Sequence, residues 1–138
     1  MDSITLLTRR GATCSDLLCC LYNLKPIDIE VFFAVVKNEN ATLTQIAELV
    51  NRDRSSSHRC LSKLLSAGLV RKSSKTLKVG GYYHVYSMVD ACKIKEYARE
   101  RLKEITESFE TLIENFESDL RKQLKEKSRP KQIIDKNK

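Results

Sequence analysis

The sequence is poor in the residues that build loop-rich and all-β proteins. Its 138 residues include no tryptophan, two prolines and four glycines, and aromatic residues make up only 7%. Because proline and glycine interrupt regular helices, their scarcity favours a mainly α-helical fold. The chain is long enough for one hydrophobic core with an appendage, and it is too short for two full domains.

Long hydrophobic runs are also absent from the sequence. The longest apolar runs, such as residues 31–36, are far shorter than the stretch of about 18 residues that a membrane-spanning helix needs. The N-terminus lacks a secretory pattern, because Asp2 precedes a short apolar stretch and Arg9-Arg10 follow it. We therefore expect a cytoplasmic protein without a membrane partner.

The side chains that hold metals or attack substrates form no recognisable pattern. The cysteines are odd in number and lack CxxC spacing; they are Cys14, Cys19, Cys20, Cys60 and Cys92. The histidines, His58 and His84, do not stand at ligand spacing from a cysteine. A phosphate-binding glycine loop, a paired-carboxylate arrangement and a Ser–His or Cys–His arrangement are missing as well. We therefore predict that the protein is not an enzyme and uses neither a metal nor another cofactor.

Positive charge is concentrated in two segments of the chain. Residues 51–78 contain eight lysines and arginines against one acid, Asp53, and residues 121–138 contain eight more against two acids. The net charge of the whole chain is only +7, so the remainder is acidic. A basic segment within an otherwise acidic chain is typical of a surface that binds a polyanion. A solvated charged face is the plainer alternative.

Apolar periodicity predicts four helices in the first half of the chain. They cover residues 16–24, residues 28–37, a segment from position 42 or 44 to position 50, and residues 54–67. Ser15 is expected to cap the first helix, and Thr42 begins a capping-box pattern at the third. Ile46, Leu49 and Val50 are predicted to face the core from the third helix.

The fourth helix has clear signals at both ends, and a hairpin pattern follows it. Asp53 is the natural N-cap, and Gly68 suits the left-handed position that ends a helix. From Leu69 the apolar period changes to about 2, which predicts strands over residues 69–77 and 82–87. Gly80-Gly81 suits the positive φ angles of a tight hairpin turn. Helix, short turn, helix and hairpin predict a winged helix-turn-helix domain over residues 15–89.

The last third of the chain predicts one long helix over residues 90–127, which contain no glycine or proline. Apolar residues recur along it at the alternating steps of a coiled coil, at Ala98, Leu102, Ile105, Phe109, Leu112 and Phe116. A winged domain of fewer than about 90 residues is too small to cover this stripe, so we expect a homodimer. Folding of the stripe back onto its own domain is the alternative. Residues 1–14 are expected to form a flexible arm and residues 128–138 a disordered basic tail.

The polar residues of the fourth helix and the hairpin are candidates for contacts with double-stranded DNA. In a winged helix-turn-helix domain the second helix of the pair enters the major groove and the hairpin lies along the backbone. The candidate groove residues are Arg54, Ser55, Ser56, His58, Arg59 and Lys63. The candidate wing residues are Arg71, Lys72, Lys75 and Lys78. Short serines permit a close approach to the base edges, and arginine can contact phosphate or guanine.

The helix-turn-helix and hairpin segments also resemble known families. Residues 43–50 and 54–61, with Leu64 and Gly68-Leu69-Val70, resemble the winged helix of archaeal TrmB-type and MarR-type transcriptional regulators. Residues 23–24, 28–31 and 80–87 are similar to the small archaeal Lrs-type (leucine-responsive-regulator-like) proteins, which pair through a long C-terminal helix. The resemblance covers roughly residues 15–125. It implies that the groove-facing positions are Arg54, Ser55, Ser56, His58 and Arg59. Ser57 replaces the usual aliphatic residue inside the recognition helix.

These patterns together predict a dimeric regulator of transcription that prefers particular sequences of double-stranded DNA. Its site should be a pseudo-palindrome, and the protein would be associated with the nucleoid. An architectural chromatin protein with little sequence preference could use the same fold. A winged-helix module that binds an acidic protein is the other alternative. The operator, any small-molecule effector and the orientation of the dimer helices stay open at this point.

Overall fold

The computed structural model describes residues 7–8 and 10–128, the last two of them by their backbone only. Much of the arm predicted for residues 1–14 and nearly all of the tail predicted for residues 128–138 therefore lie outside the described residues. The chain forms two compact units, with the boundary between Arg99 and Glu100. Within the described residues, no helix combines the length and the hydropathy that crossing a membrane would require.

The first unit contains helices and a two-stranded antiparallel sheet in the order that the sequence predicts. The helices are α1 (Cys14–Tyr22), α2 (Pro26–Lys37), α3 (Leu43–Val50) and α4 (Arg54–Ser66), and the strands are β1 (Val70–Thr76) and β2 (Tyr82–Met88). Helix α5 (Ala91–Glu114) follows, and its first residues belong to this unit. The mainly helical fold class with a hairpin wing is thus confirmed.

Side-chain caps determine where these helices begin. The Gln45 N–H donates to Thr42 Oγ1 at 3.2 Å and the Thr42 N–H donates to Gln45 Oε1 at 2.9 Å, which is the predicted capping box. The Ser15 cap is wrong, because α1 begins at Cys14 and Ser15 lies inside it. Its cap is Thr13, whose N–H donates to Asp16 Oδ2 at 2.9 Å.

The hairpin is closed by the glycine turn and joined to the start of α3. Thr76 pairs with Tyr82 at the end of the ladder, and Gly80 and Gly81 have φ angles of 96° and 82°. These angles favour glycine, as the sequence predicts. At the other end, the Tyr86 N–H donates to the Ala41 carbonyl at 2.8 Å, so the chain before α3 pairs with β2 as a single bridge. This bridge ties the wing to the helix-turn-helix.

The core of the first unit lies between α2, α3, α4 and the base of the hairpin. Its most buried side chains are Val31, Val35, Ile46, Leu61, Leu64 and Leu69. Leu49, which is predicted to face the core from α3, is on the surface, because this residue is 55% exposed. The buried face of α3 is centred between Ile46 and Ala47, and at 100° per residue this leaves Leu49 beyond the edge of that face.

The second unit contains the rest of α5 and helix α6 (Phe116–Ser128). The prediction of one uninterrupted helix is wrong at one residue, Asn115, which separates the two helices. Helical hydrogen bonds continue on both sides of it: its N–H donates to the Thr111 carbonyl at 3.0 Å and its carbonyl accepts from Asp119 at 2.9 Å. Asparagine is a weak helix former because its amide competes for backbone groups. Apart from half-buried Ile105, the side chains described in this unit are exposed.

Candidate nucleic-acid interface

Helix α4 divides into a buried face and a polar face. Its buried residues are Ser57, Cys60, Leu61 and Leu64. On the opposite face Ser55, Arg59 and Ser62 are exposed and follow one another at steps of four and three residues. The buried face anchors the helix in the core, so the polar row is presented outward. Ser62 belongs to this row, and sequence reasoning missed it although the three- and four-residue spacing could have found it.

The start of α4 is organised by Asp53. Asp53 Oδ1 accepts from the Ser56 N–H at 2.7 Å, which confirms the predicted N-cap. Hydrogen bonds from Ser56 lower the pKa of Asp53, so it is ionised at neutral pH. Asn51, with φ 55°, ends α3 in the left-handed conformation and makes the tight turn between the two helices. The Arg59 guanidinium donates to Ser56 Oγ at 3.2 Å, which holds this arginine against its own helix.

The predicted wing residues lie on different faces of the hairpin. Lys72 pairs across the ladder with Tyr86, while Arg71 and Lys75 pair with Ser87 and Tyr83. Since alternate residues of a strand point to opposite faces, Arg71 and Lys75 share one face and Lys72 lies on the other. Lys78 lies beyond the strands, in the turn. All four of these cations are exposed.

A cleft lies between α4 and the hairpin, and it is lined both by predicted groove residues and by a predicted wing residue. Its volume is about 570 Å³, and its lining includes Arg54 and His58 of α4 and Lys72 of β1. Thr42 and Thr44, at the start of α3, line the same cleft, which we name the wing-side cleft. Arg71, Lys75 and Lys78 do not line it. The first helix of the pair, the recognition helix and the wing thus share one surface, which carries both basic and apolar side chains.

Lys63 has a protein partner that the sequence did not reveal. Its ammonium lies 2.9 Å from Asp28 Oδ2, and the Asp28 side chain is only 5% exposed. The same oxygen accepts from the Lys25 N–H at 2.8 Å and so caps α2. Asp28 therefore joins the start of α2 to the recognition helix. The spacing of 35 residues between Asp28 and Lys63 gives no local signal of this pair.

The Asp28 carboxylate is ionised in spite of its burial. Burial alone would raise its pKa, but hydrogen bonds from Lys63, from the Lys25 N–H and from the Cys60 thiol outweigh this effect, and the pKa is lowered. Burial, and then the adjacent carboxylate, raise the pKa of the Cys60 thiol to about 11. Cys60 is therefore a protonated donor at neutral pH rather than a reactive thiolate.

Most of the predicted dimer residues form an exposed apolar stripe in the second unit. Leu102, Phe109, Leu112 and Phe116 are each at least half exposed, and Ile105 is half-buried. Ala98 precedes the boundary at Arg99 and is half-buried in the first unit. Ile113, Leu120 and Leu124 add further exposed apolar surface to the second unit. Pairing through this stripe remains a prediction.

The described residues contain no group of three or more histidine, cysteine or acidic side chains that could hold a metal ion. The cysteines form no disulfide in this part of the chain. A helix pair with a tight turn, a polar second helix and a basic hairpin wing instead define a winged-helix DNA-binding protein.

Comparison with known proteins identifies the family within this class. A family model described as "Sugar-specific transcriptional regulator TrmB" matches residues 18–91. An uncharacterized protein of Methanocaldococcus jannaschii, MJ1503, is 32% identical over 105 residues, which cover 76% of this chain and 80% of that protein. The chain therefore belongs to the TrmB family of transcriptional regulators, and it is a DNA-binding regulator rather than an enzyme.

Solved structures share the fold. A possible transcriptional regulator from Methanosarcina mazei superposes with a TM-score of 0.64 at 18% identity, over 79% of this chain and 95% of that one. The ST1889 protein from Sulfolobus tokodaii superposes with a TM-score of 0.56 at 20% identity, over 68% of this chain and 92% of that one. The resemblance to archaeal winged-helix regulators is thus confirmed, whereas a closer kinship with the Lrs-type proteins remains a prediction.

Proposed function

We propose that this chain acts as a homodimer that prefers particular sequences of double-stranded DNA, with α4 in the major groove. The observation that carries the proposal is the division of α4 into a buried face and a row of exposed Ser55, Arg59 and Ser62. Serine side chains are short, so the helix can approach the base edges closely. An arginine among them supplies the bidentate donor that reads guanine.

The residues around this row have separate roles in the proposal. Arg54 and His58 flank the groove on the wing side, and Ser56 orients Arg59 through the 3.2 Å hydrogen bond. The wing cations, which are Arg71, Lys72, Lys75 and Lys78, contact phosphates. Phosphate contacts set the affinity and the register, while the α4 row sets the sequence preference. Lys63 is primarily the partner of Asp28 and contributes little to base reading.

The exposed stripe of the second unit supports the dimer. Phe116 is 61% exposed although it is large and apolar, and it repeats at helical spacing with Leu112 and Phe109. A sustained apolar stripe that its own unit leaves uncovered is typical of an interface between copies. Two copies would hold two recognition helices, so the preferred site is a pseudo-palindrome.

The test is a fluorescence anisotropy titration of the protein on two duplexes at several salt concentrations. One duplex is selected from a random pool by the protein itself, and the other is a random sequence of equal length. We expect Arg59→Ala to weaken binding to the selected duplex by roughly 10- to 100-fold and to affect the random duplex less. Lys75→Ala should weaken both duplexes equally and reduce the salt slope by about one unit.

Each departure from this result has a definite meaning. Equal losses on both duplexes for Arg59→Ala would remove its role in base reading. Equal affinity of the unaltered protein for both duplexes would favour chromatin architecture over regulation at particular sites. Failure to bind either duplex at low salt would contradict DNA binding and direct attention to a protein partner.

A further inference from the structure

A second basic cleft lies on the flank of α4 that faces α2. Its volume is about 640 Å³. It is lined by Lys25, Ile27, Asp28, Arg52, Ser56, Arg59, Cys60 and Lys63. We name it the α2-side cleft. Four of these eight residues are cations and one is an acid, so the lining is strongly positive.

The single acid of the α2-side cleft does not repel an anion strongly, because its charge is already engaged. Asp28 Oδ2 accepts from the Lys63 ammonium and from the Lys25 N–H, and the Cys60 thiol also donates to this carboxylate. An ionised carboxylate with three donors is compensated within the protein. Asp28 and Lys63 therefore form a neutral pair beside the remaining cations.

The remaining cations are available at the surface. Lys25, Arg52 and Arg59 are all exposed. Among the described residues, neither the Lys25 ammonium nor the Arg59 guanidinium forms an ion pair within 4 Å. The charge of Asp53 acts on Arg59 over a longer distance. Arg52 approaches Glu30 at 3.7 Å, but both side chains are about half exposed. Exposed ion pairs of this kind contribute little to stability, so an anion that binds Arg52 more strongly can displace Glu30.

The two basic clefts lie on opposite flanks of the recognition helix. Arg54 and His58 line the wing-side cleft, while Ser56 and Lys63 line the α2-side cleft. At 100° per residue, the row of Ser55, Arg59 and Ser62 lies between the two flanks. A helix in the major groove has one sugar–phosphate backbone on each side of it. Cations on both flanks match this arrangement.

We propose that the α2-side cleft is a phosphate-binding site, held chiefly by Lys25 and Arg52, for the DNA strand opposite the one that the wing contacts. The inference rests on the proposed function, since it assumes that α4 enters the groove. Arginine and lysine cations on a rigid helix start and a tight turn are well suited to phosphate oxygens. A free polyphosphate would present the same chemistry, so the test must separate the two sources.

The first arm of the test compares Lys25→Gln with Lys37→Gln in duplex titrations across salt concentrations. Both lysines are exposed residues of the α2 region, but Lys37 lies at the far end of this helix and does not line the cleft. Both variants remove one positive charge and leave the Lys25 N–H in place. We expect Lys25→Gln to lower the salt slope by about one unit and the affinity at 0.1 M salt by about 5- to 10-fold. Lys37→Gln should keep the slope of the unaltered protein.

The second arm measures tripolyphosphate binding by calorimetry without DNA, for the unaltered protein and for the Lys25→Gln and Arg52→Gln variants. Binding that both variants weaken, with an unchanged DNA slope, would support the cleft as a site for free phosphate. The same result in a protein that binds no duplex would support the cleft and contradict the proposed function. If Lys25→Gln matches Lys37→Gln on DNA, and tripolyphosphate binding is absent or insensitive to both variants, the proposal is wrong.

Discussion

Leu61 and Leu64 of the first unit are inaccessible to solvent, whereas Leu112 and Phe116 of the second unit are both more than half exposed. All four residues belong to apolar stripes with helical spacing. The difference is that α4 packs against α2, α3 and the hairpin, while the second unit supplies few elements to cover its stripe. The same sequence pattern therefore corresponds to a core in one region and to an exposed surface, which we propose pairs with a second copy, in the other.

Charge pairs differ between the two units in the same way. Asp28 and Lys63 form a partly buried pair that connects elements 35 residues apart. In the second unit, Arg121 and Glu117 pair at 3.3 Å over one helical turn, and both side chains are exposed. Removing one member of a buried pair leaves an uncompensated charge, while an exposed pair is replaced by water. The first unit should thus be sensitive to loss of the Asp28–Lys63 pair, and the second insensitive to loss of the Arg121–Glu117 pair.

The largest effect is expected where an apolar stripe receives a charge. Phe109→Asp should raise the dissociation constant of the dimer by roughly 100-fold or more, because a carboxylate would be buried in the interface. Sedimentation equilibrium measures this change directly. The matched control is Thr111→Asp, which adds the same charge at an outward position of the coiled-coil repeat and should leave association unchanged. Equal effects of the two variants would argue against the stripe as the interface.

The next largest effect is expected at the Asp28–Lys63 pair of the first unit. Asp28→Ala should lower the free energy of unfolding by about 3 kcal/mol, since it leaves Lys63 without its partner and removes the cap of α2. Glu117→Ala in the second unit should cost about 0.5 kcal/mol or less. Urea denaturation of both variants gives the comparison. Similar losses would contradict the distinction between the two pairs.

The Asp28 contribution should also depend on pH. The folded-state pKa of Asp28 is lowered, so its carboxylate stabilises the native state above the ordinary carboxyl pKa. This stabilisation is lost as the pH falls below about 4 and through the lowered folded-state value. The stability difference between the unaltered protein and Asp28→Ala should therefore be constant near neutral pH and shrink below pH 4. A difference that grows on acidification would have the wrong sign.

A smaller effect tests how far the first unit extends into α5. Gly68 has a φ of 79°, and a Cβ there would lie 3.2 Å from the Tyr97 ring. Gly68→Ala should cost about 2 kcal/mol, partly from backbone strain and partly from this contact. In a Tyr97→Ala background the same substitution should cost about 1 kcal/mol, the strain alone. Identical costs in both backgrounds would exclude a tight contact between α5 and the end of α4.

The smallest effect concerns Ser57, which stands where related recognition helices are expected to have an aliphatic residue. Ser57 is 1% exposed, and its Oγ has no hydrogen-bond partner among the described residues. Ser57→Ala should therefore leave the free energy of unfolding unchanged or raise it by up to about 1 kcal/mol. DNA affinity should not change, because the side chain faces the core. A clear loss of stability in thermal melts would indicate that the hydroxyl is satisfied in solution.

Local signals predicted most of the first unit. Asp53, Thr42 and the turn glycines are recognised by short-range chemistry, and each is found where its pattern indicates. The Ser15 cap failed locally, because Thr13 pairs with Asp16 instead, whereas the failure at Leu49 required knowledge of tertiary contacts. Leu49 matches a buried period, but the orientation of α3 is decided by the elements that pack against it.

Prediction of the candidate nucleic-acid interface was limited in the same way by tertiary contacts. The polar residues of α4 could be named from the sequence, because helical spacing defines a face. The partner of Lys63 could not, since Asp28 stands 35 residues away and on another helix. Lys25 was missed for the same reason: only the fold brings the start of α2 beside the recognition helix. Charge density alone did not separate the cations proposed to contact phosphate from Lys63, which pairs with an acid within the protein.

We propose that two copies of this chain present their recognition helices to one DNA site. Hydroxyl-radical footprinting on a duplex selected by the protein tests it most directly. We expect two protected half-sites whose centres are about 10 base pairs, or a multiple of this, apart. The Phe109→Asp variant should lose the protection of both half-sites together. Continuous protection without a helical periodicity would contradict a dimeric regulator with two groove-reading helices. A single half-site that the Phe109→Asp variant protects equally well would contradict it too.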